Sequence, residues 1–275
     1  MSVTAAVPEP VVRDAATVML VRDGDAGLEV FMLRRNLNSD FVGGAYVFPG
    51  GAVDEADRHE NLEPIAEGRT DVEASTALGL DPPEGGLAFW VAAIRESFEE
   101  AGVLLAYDTD GSLVDLRDPD QEARFSAHRK AVDTGERRLV DVCADEGLRL
   151  AVDSMHYFAH WITPEGAPRR YDTRFFVARA PEWQSPLHDD RETIANLWIR
   201  PGEALARNER GEFDLMPPTV RNLHAIDRFD SADDLLKAAA NLDDVPTVVP
   251  RIVTDEGGVR ILLPGDEEFR WRQPS

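Results

Sequence analysis

The chain predicts an α/β fold, a sandwich of helices around a mixed sheet, and three observations carry that prediction. Segments rich in β-branched and aromatic residues recur between segments with helical spacing. The 275 residues are 43% hydrophobic and 29% charged, enough to bury a sizeable core. No internal repeat or low-complexity tract divides the chain, so one elaborated domain over residues 14–275 is expected after a loose, proline-containing arm at 1–13.

The elements follow in order. Ala15–Val21 and Leu28–Arg34 are rich in β-formers and flank Asp23-Gly24-Asp25-Ala26-Gly27, a hairpin signature. Ala45–Phe48 reads as a short third strand delivering the chain into Pro49-Gly50-Gly51, where glycines permit close approach of backbone to a ligand. Residues 58–87 are acidic and broken by Pro64, Pro82 and Pro83, with one short helix near Val72–Leu78. Trp90, Val91, Ile94, Phe98 and Ala101 then form an apolar stripe at helical period, stopped by Gly102. A strand follows over Val103–Tyr107. Helices are expected over Pro119–Thr134 and Glu136–Glu146, making residues 118–148 a helical subregion beside the site. Met155–Thr163, Tyr171–Ala180 and Ile194–Arg200 read as strands, and Pro201–Asn208 as a helix opened by proline. Helices over Pro217–Phe229 and Ser231–Asn241 precede a late hairpin, Val248–Thr254 with Val259–Leu263.

Charge restricts the partners. With 29 basic against 52 acidic residues the net charge is −23, which opposes nucleic acid and anionic membranes as partners. A small diphosphate is compatible, because a bound metal and a few arginines can overrule the global field at one point. The lone Cys143 forms no intrachain disulfide, fits a reducing cytoplasm and reads as a small core residue. No basic leader followed by a long apolar run opens the chain and no run approaches a membrane span, so a cytoplasmic location is expected. The sequence is compatible with a monomer or a homodimer.

The chemistry concentrates in Arg95-Glu96-Ser97-Phe98-Glu99-Glu100-Ala101-Gly102-Val103. Glu96, Glu99 and Glu100, at i, i+3 and i+4, fall within about 100° of arc on a helix. They repel one another near a helix C-terminus, where the macrodipole is already negative. A hard divalent cation with oxygen ligands would reverse that penalty. Arg95 sits about 40° from Glu99 on the wheel and can pair with it. His156 and His160 look like a metal pair at helical spacing, but their neighbours predict a strand, which would place them roughly 13 Å apart. Ser97 lacks the Gly-x-Ser-x-Gly turn of a serine nucleophile.

Gly51, Asp57, Arg95, Glu96, Glu99, Glu100, Gly102 and Val103 together resemble the box of the Nudix hydrolases, with Asp57 in place of a usual Glu and Ser97 in place of an aliphatic residue. The box is interrupted by the insertion at 58–87, so that Arg58 through Ile94 separate its halves. The resemblance implies a Nudix-like α/β/α sandwich and hydrolysis of a diphosphate linkage with Mg²⁺ or Mn²⁺. It implies metal binding by Glu96, Glu99, Glu100 and the Gly50 carbonyl, with Glu96 a further ligand or the base, Arg95 holding the acidic helix, and Glu192 supplying an additional acid.

Leu33-Arg34-Arg35 with Gly44–Gly51 is similar to the coenzyme A diphosphatase segment before the box, and His160–Pro164, Pro168–Phe176 and Pro217-Pro218-Thr219 to the acyl-coenzyme A diphosphatase branch, whose box is also interrupted. That likeness implies coenzyme A or its thioesters as substrate, with Arg34, Arg35, Arg169 and Arg170 as candidate phosphate clamps. An ADP-ribose or nucleotide-sugar diphosphatase, and a non-catalytic nucleotide-sensing module, are the alternatives.

Overall fold

A computed structural model describes residues 10–37, 43–58, 62–184, 186, 192–255 and 258–266. In chain order its strands are β1 (Val12–Gly24), β2 (Gly27–Arg35), β3 (Tyr46–Val47), β4 (Gly50–Ala52), β5 (Ala106–Tyr107), β6 (Arg149–Leu150), β7 (Met155–Ile162), β8 (Arg170–Arg179), β9 (Thr193–Ile199), β10 (Thr247–Val248), β11 (Arg251–Asp255) and β12 (Gly258–Leu262). Its helices are α1 (Asp71–Ala77), α2 (Leu87–Ala101), α3 (Pro119–Asp133), α4 (Leu139–Glu146), α5 (Pro201–Glu209), α6 (Pro217–Ile226) and α7 (Ala232–Ala240).

The main sheet is mixed: β10-β7-β8-β1-β2-β3 in order, with β4 also on β1 and β9 also on β2. β1 runs parallel to β8 and antiparallel to β2. Side chains alternate across a strand, and β1 uses that alternation to build two cores. Ala16, Val18 and Leu20 pack on one face with Trp90, Ile94 and Phe98 of α2 and with Phe125, Leu139 and Val142 of α3 and α4. Met19 and Val21 pack on the other face with Ala204, Leu223, Ile226 and Leu235 of α5, α6 and α7. The result is the expected α/β/α sandwich. The helical subregion shares the first core, and Cys143 is fully buried within it.

Several boundaries differ for physical reasons. Residues 12 and 13 already belong to β1, and 1–9 lie outside the described residues. The strand expected over Val103–Tyr107 reduces to Ala106–Tyr107, because the backbone of Leu104 finds its partners in a side chain: Gln184 accepts from its N–H at 2.8 Å and donates to its carbonyl at 3.0 Å. The expected Val248–Thr254 strand splits at Pro250, which has no N–H to donate, into β10 on β7 and β11 in a hairpin with β12. His156 and His160 do lie on a strand; His160 is buried against Asp172, Arg174 and Thr247.

The C-terminus of α2 is closed from two sides. Gly102 follows it with φ of 69°, a left-handed conformation that glycine adopts without strain. From α3, Arg129 Nε donates to the Glu99 carbonyl at 2.9 Å and its Nη2 to the Glu100 carbonyl at 3.0 Å, so a cation answers the negative helix end. Arg129→Met keeps the aliphatic stem but removes these charge-assisted bonds, and a loss of about 1.5–3 kcal/mol in unfolding free energy is expected from urea denaturation.

Candidate active site

Arg95 joins the two halves of the interrupted motif. Although 38 residues separate them in sequence, Asp57 meets Arg95 as a fork, with Nε to Oδ1 and Nη2 to Oδ2 both at 2.9 Å. Asp57 is held for this role in a 3₁₀ turn, where its Oδ2 also accepts from the Asp54 N–H at 2.8 Å. The insertion therefore leaves the box joined, and its Ala74 and Leu78 pack into the same core as α2. The same guanidinium donates from Nη1 to Glu96 and to Glu99, each at 2.9 Å, and from Nη2 to the Ala52 carbonyl at 2.8 Å.

β4, a strand the sequence does not announce, sets the opposite wall. Val18 donates to the Pro49 carbonyl and Val53 to the Asp14 carbonyl, both at 2.9 Å, so residues 49, 51 and 53 are in hydrogen-bonding register with β1. In an antiparallel pair the intervening residues turn their peptide groups the other way. Gly50 and Ala52 do so: the Gly50 N–H donates to Glu100 Oε2 at 2.9 Å, and the Ala52 carbonyl takes Arg95. Strand geometry gives a residue's carbonyl the same side as its N–H, so the register assigns the Gly50 carbonyl to the Glu100 side. Gly51 lies against Glu96 so closely that a Cβ there would stand 2.3 Å from Oε1.

Electrostatics follow from burial. Glu96 is pushed up to about 7, first by burial, with Arg95 opposing and the charges of Asp57 and Glu192 adding to the rise. Glu99 is likewise pushed up to about 7 by burial, against the pull of Arg95. Glu100 rises well above the ordinary carboxylate range through burial and the charge of Glu96, partly offset by the Gly50 N–H and Arg35. For Arg95, burial opposes the charge, but the Asp57 hydrogen bonds and the surrounding carboxylates more than offset it and raise the group above its usual value.

Glu96 and Glu100 thus meet the Gly50-Gly51 edge within the field of Glu192, while Glu99 lines a separate small cavity of about 190 Å³ with Asp133 and Arg138. Among the described residues no three acidic, histidine or cysteine side chains form a ready-made cage. Two carboxylates and a carbonyl, completed by waters, match a cation such as Mg²⁺ that keeps part of its hydration shell. The residues present fit such an ion.

The Gly50-Gly51 edge opens on a larger cleft of about 410 Å³. Its walls include Phe48, Trp161, Phe175, Pro217 and Pro218, and its cationic lining is Arg35 and Arg169. Arg34 and Arg170 do not line it. Arg34, adjacent to Arg35 on β2 and therefore turned the other way, donates to the Gly44 carbonyl at 3.3 Å and lies over Tyr46; Arg170 donates to the Thr163 carbonyl at 3.2 Å. Of the residues near Glu192, Asp189, Asp190 and Arg191 lie outside the described residues, as does Asp40 near the glycine turn. Sequence reasoning missed β4 and the capping Arg129, and no local pattern marks either. Ser97 is fully buried and its hydroxyl has no partner among the described residues, which explains why an aliphatic residue suits this position.

Removing Asp57 would leave a buried guanidinium short of its fork. Asp57→Ala is expected to lower the unfolding free energy by about 3–5 kcal/mol, read from the urea midpoint; a loss below about 1 kcal/mol would mean that Glu96 and Glu99 alone hold Arg95.

Comparison with known proteins agrees with the geometry. The family model described as the NUDT19 Nudix domain matches residues 68–226. The chain is 30% identical over 307 residues to acyl-coenzyme A diphosphatase NUDT19 of Gallus gallus, covering 94% of this chain and 79% of that protein. It is 29% identical over 277 residues to the Homo sapiens protein of the same name, covering 88% and 72%. A crystal structure of a Nudix hydrolase from Alicyclobacillus acidocaldarius superposes with a TM-score of 0.68 at 26% identity, over 83% of this chain and 96% of that one. Arg95 with its three glutamates lies inside the matched region, and the chain belongs to the NUDT19 Nudix domain family of Nudix pyrophosphohydrolases.

Proposed function

We propose that this enzyme cleaves the diphosphate bridge of coenzyme A or an acyl-coenzyme A, yielding 3′,5′-ADP and 4′-phosphopantetheine or its acylated form, with Mg²⁺ or Mn²⁺ as cofactor. The observation that carries this reading is the continuity of the Glu96–Glu100–Gly50 cluster with a cleft that pairs two arginines with an extended apolar wall. A nucleotide joined to a long, partly apolar arm matches both parts. The names of the chicken and human relatives support the same substrate class.

Glu96, Glu100 and the Gly50 carbonyl are the proposed metal donors, with Glu192 beside them and Glu99 as the third acid of the motif. Glu99 shares the Arg95 Nη1 donor with Glu96, so Arg95 is a positioning residue that fixes both carboxylates. A dication bound there would neutralise charge on the bridging phosphates and lower the pKa of an attacking water. Glu96 serves as a further ligand or takes the proton from that water. Arg35 and Arg169 bind phosphate oxygens through forked donors, at a point where the global charge of −23 would otherwise repel the substrate. Among the described residues no helix is long and apolar enough to cross a membrane, in keeping with a dissolved small-molecule substrate.

Incubation with Mg²⁺ and a panel of coenzyme A, acyl-coenzyme A, ADP-ribose and NADH, with products read by mass, tests the reading. Release of 4′-phosphopantetheine species is expected, and AMP from ADP-ribose alone would overturn it. Glu96→Gln combined with Glu100→Gln should lower kcat about a thousandfold or more, the scale on which charge stabilisation of a transferred group is lost. Gly51→Ala places a methyl group where the Glu96 carboxylate lies, and a fall in kcat of about a hundredfold is expected from the displaced geometry.

A further inference from the structure

β11 and β12 form a two-stranded sheet of their own, outside the region matched by the family model. Ile252 and Ile261 stand directly opposite each other in its register and therefore share one face. Val253 and Leu262 fall on the other face and are buried, which anchors the hairpin. Ile252 and Ile261 keep 37% and 47% of their surface exposed, and both line the cleft, beside Pro250 and across from the sheet residues Trp161 and Phe175.

Phosphates and ribose gain nothing from an isoleucine pair. The polar lining suited to them is Arg35, Arg169 and the glycine edge. In a strongly acidic chain, two large apolar side chains left open on a functional cleft gain most by covering an aliphatic ligand. We propose that Ile252 and Ile261 form the acyl-chain wall of the cleft and set the preference for acylated over free coenzyme A. This inference rests on the coenzyme A reading above and goes beyond it by assigning selectivity to a hairpin remote from the acidic motif. An adenine ring against the same wall is the competing occupant, and it would make the wall matter equally for both substrates.

The test compares the intact protein with the double variant Ile252→Ser/Ile261→Ser, both with Mg²⁺, measuring kcat/KM for coenzyme A and for octanoyl-coenzyme A. The positions are exposed, so an unchanged melting temperature is expected. The octanoyl-to-free ratio of kcat/KM should fall about tenfold, as when apolar pocket contacts are removed, while the value for free coenzyme A stays within about twofold. Ile252→Leu/Ile261→Leu should restore most of the preference. A proportional fall for both substrates would assign the wall to the shared nucleotide, and an unchanged ratio would assign it to neither; each result overturns the inference while leaving the coenzyme A reading intact. If the unaltered protein turns over neither compound, the underlying reading falls and takes the inference with it.

Discussion

The rest of the site depends on one buried guanidinium. Arg95 ties α2 to the Asp57 turn, to β4 through the Ala52 carbonyl, and to two acids on its own helix. Each of these partners fills a donor of a planar fork whose geometry lysine does not offer. Because the interior screens charge weakly, leaving any one partner out would be far more damaging than the net gain from making the set. The fork therefore acts chiefly as a specificity device. It fixes where the second half of the motif must return after the insertion at residues 58–87.

Behind the fork the structure concentrates repulsion. Glu96, mostly buried, and Glu100, buried, are one helical turn apart and within the field of Glu192, and their raised pKa values register burial first and that crowding second. The surrounding protein answers it only in part: Arg95 donates to Glu96 at 2.9 Å, the Gly50 N–H donates to Glu100, and the charge of Arg35 adds to these. Arg129 relieves a different strain, the carbonyl end of the helix, and leaves the carboxylates as they are. A site whose negative charge is held in place and only partly neutralised is suited to a cation.

How far the sequence discloses this depends on the range of the interaction. The apolar stripe of α2 and its Gly102 stop are local and periodic, and both stand where the residues place them. The alternation of β1 reports the two faces of the sheet in the same way. The pairing of Glu99 with Arg95 also follows from helix geometry alone. By contrast, β4 is three residues of glycine and alanine whose strand character comes wholly from its partner β1, and Gln184 replaces a strand for Leu104 from 80 residues away. Neither leaves a periodic trace. The arginine pairs Arg34-Arg35 and Arg169-Arg170 show the intermediate case: composition marks both as cationic, but only the alternation of strand faces and the path of the adjoining turn decide which member reaches the cleft.

The same distinction of range reconciles the proposed anionic substrate with a chain of charge −23. At physiological ionic strength the field of exposed carboxylates decays over about 8 Å, so most of the surplus acids are screened from the cleft. The charged lining of the cleft itself is Arg35 and Arg169, and the glycine turn joins it to Glu100 of α2. The acids alone would repel a diphosphate; joined to a dication they reverse sign locally, and the two arginines then act in concert with them. The surplus charge elsewhere discourages polyanions that must cover a broad surface, while a ligand small enough to enter the cleft meets only the local field. On the proposed reading, preference for a small diphosphate over nucleic acid is a consequence of length scale, built from the same carboxylates that would hold the metal.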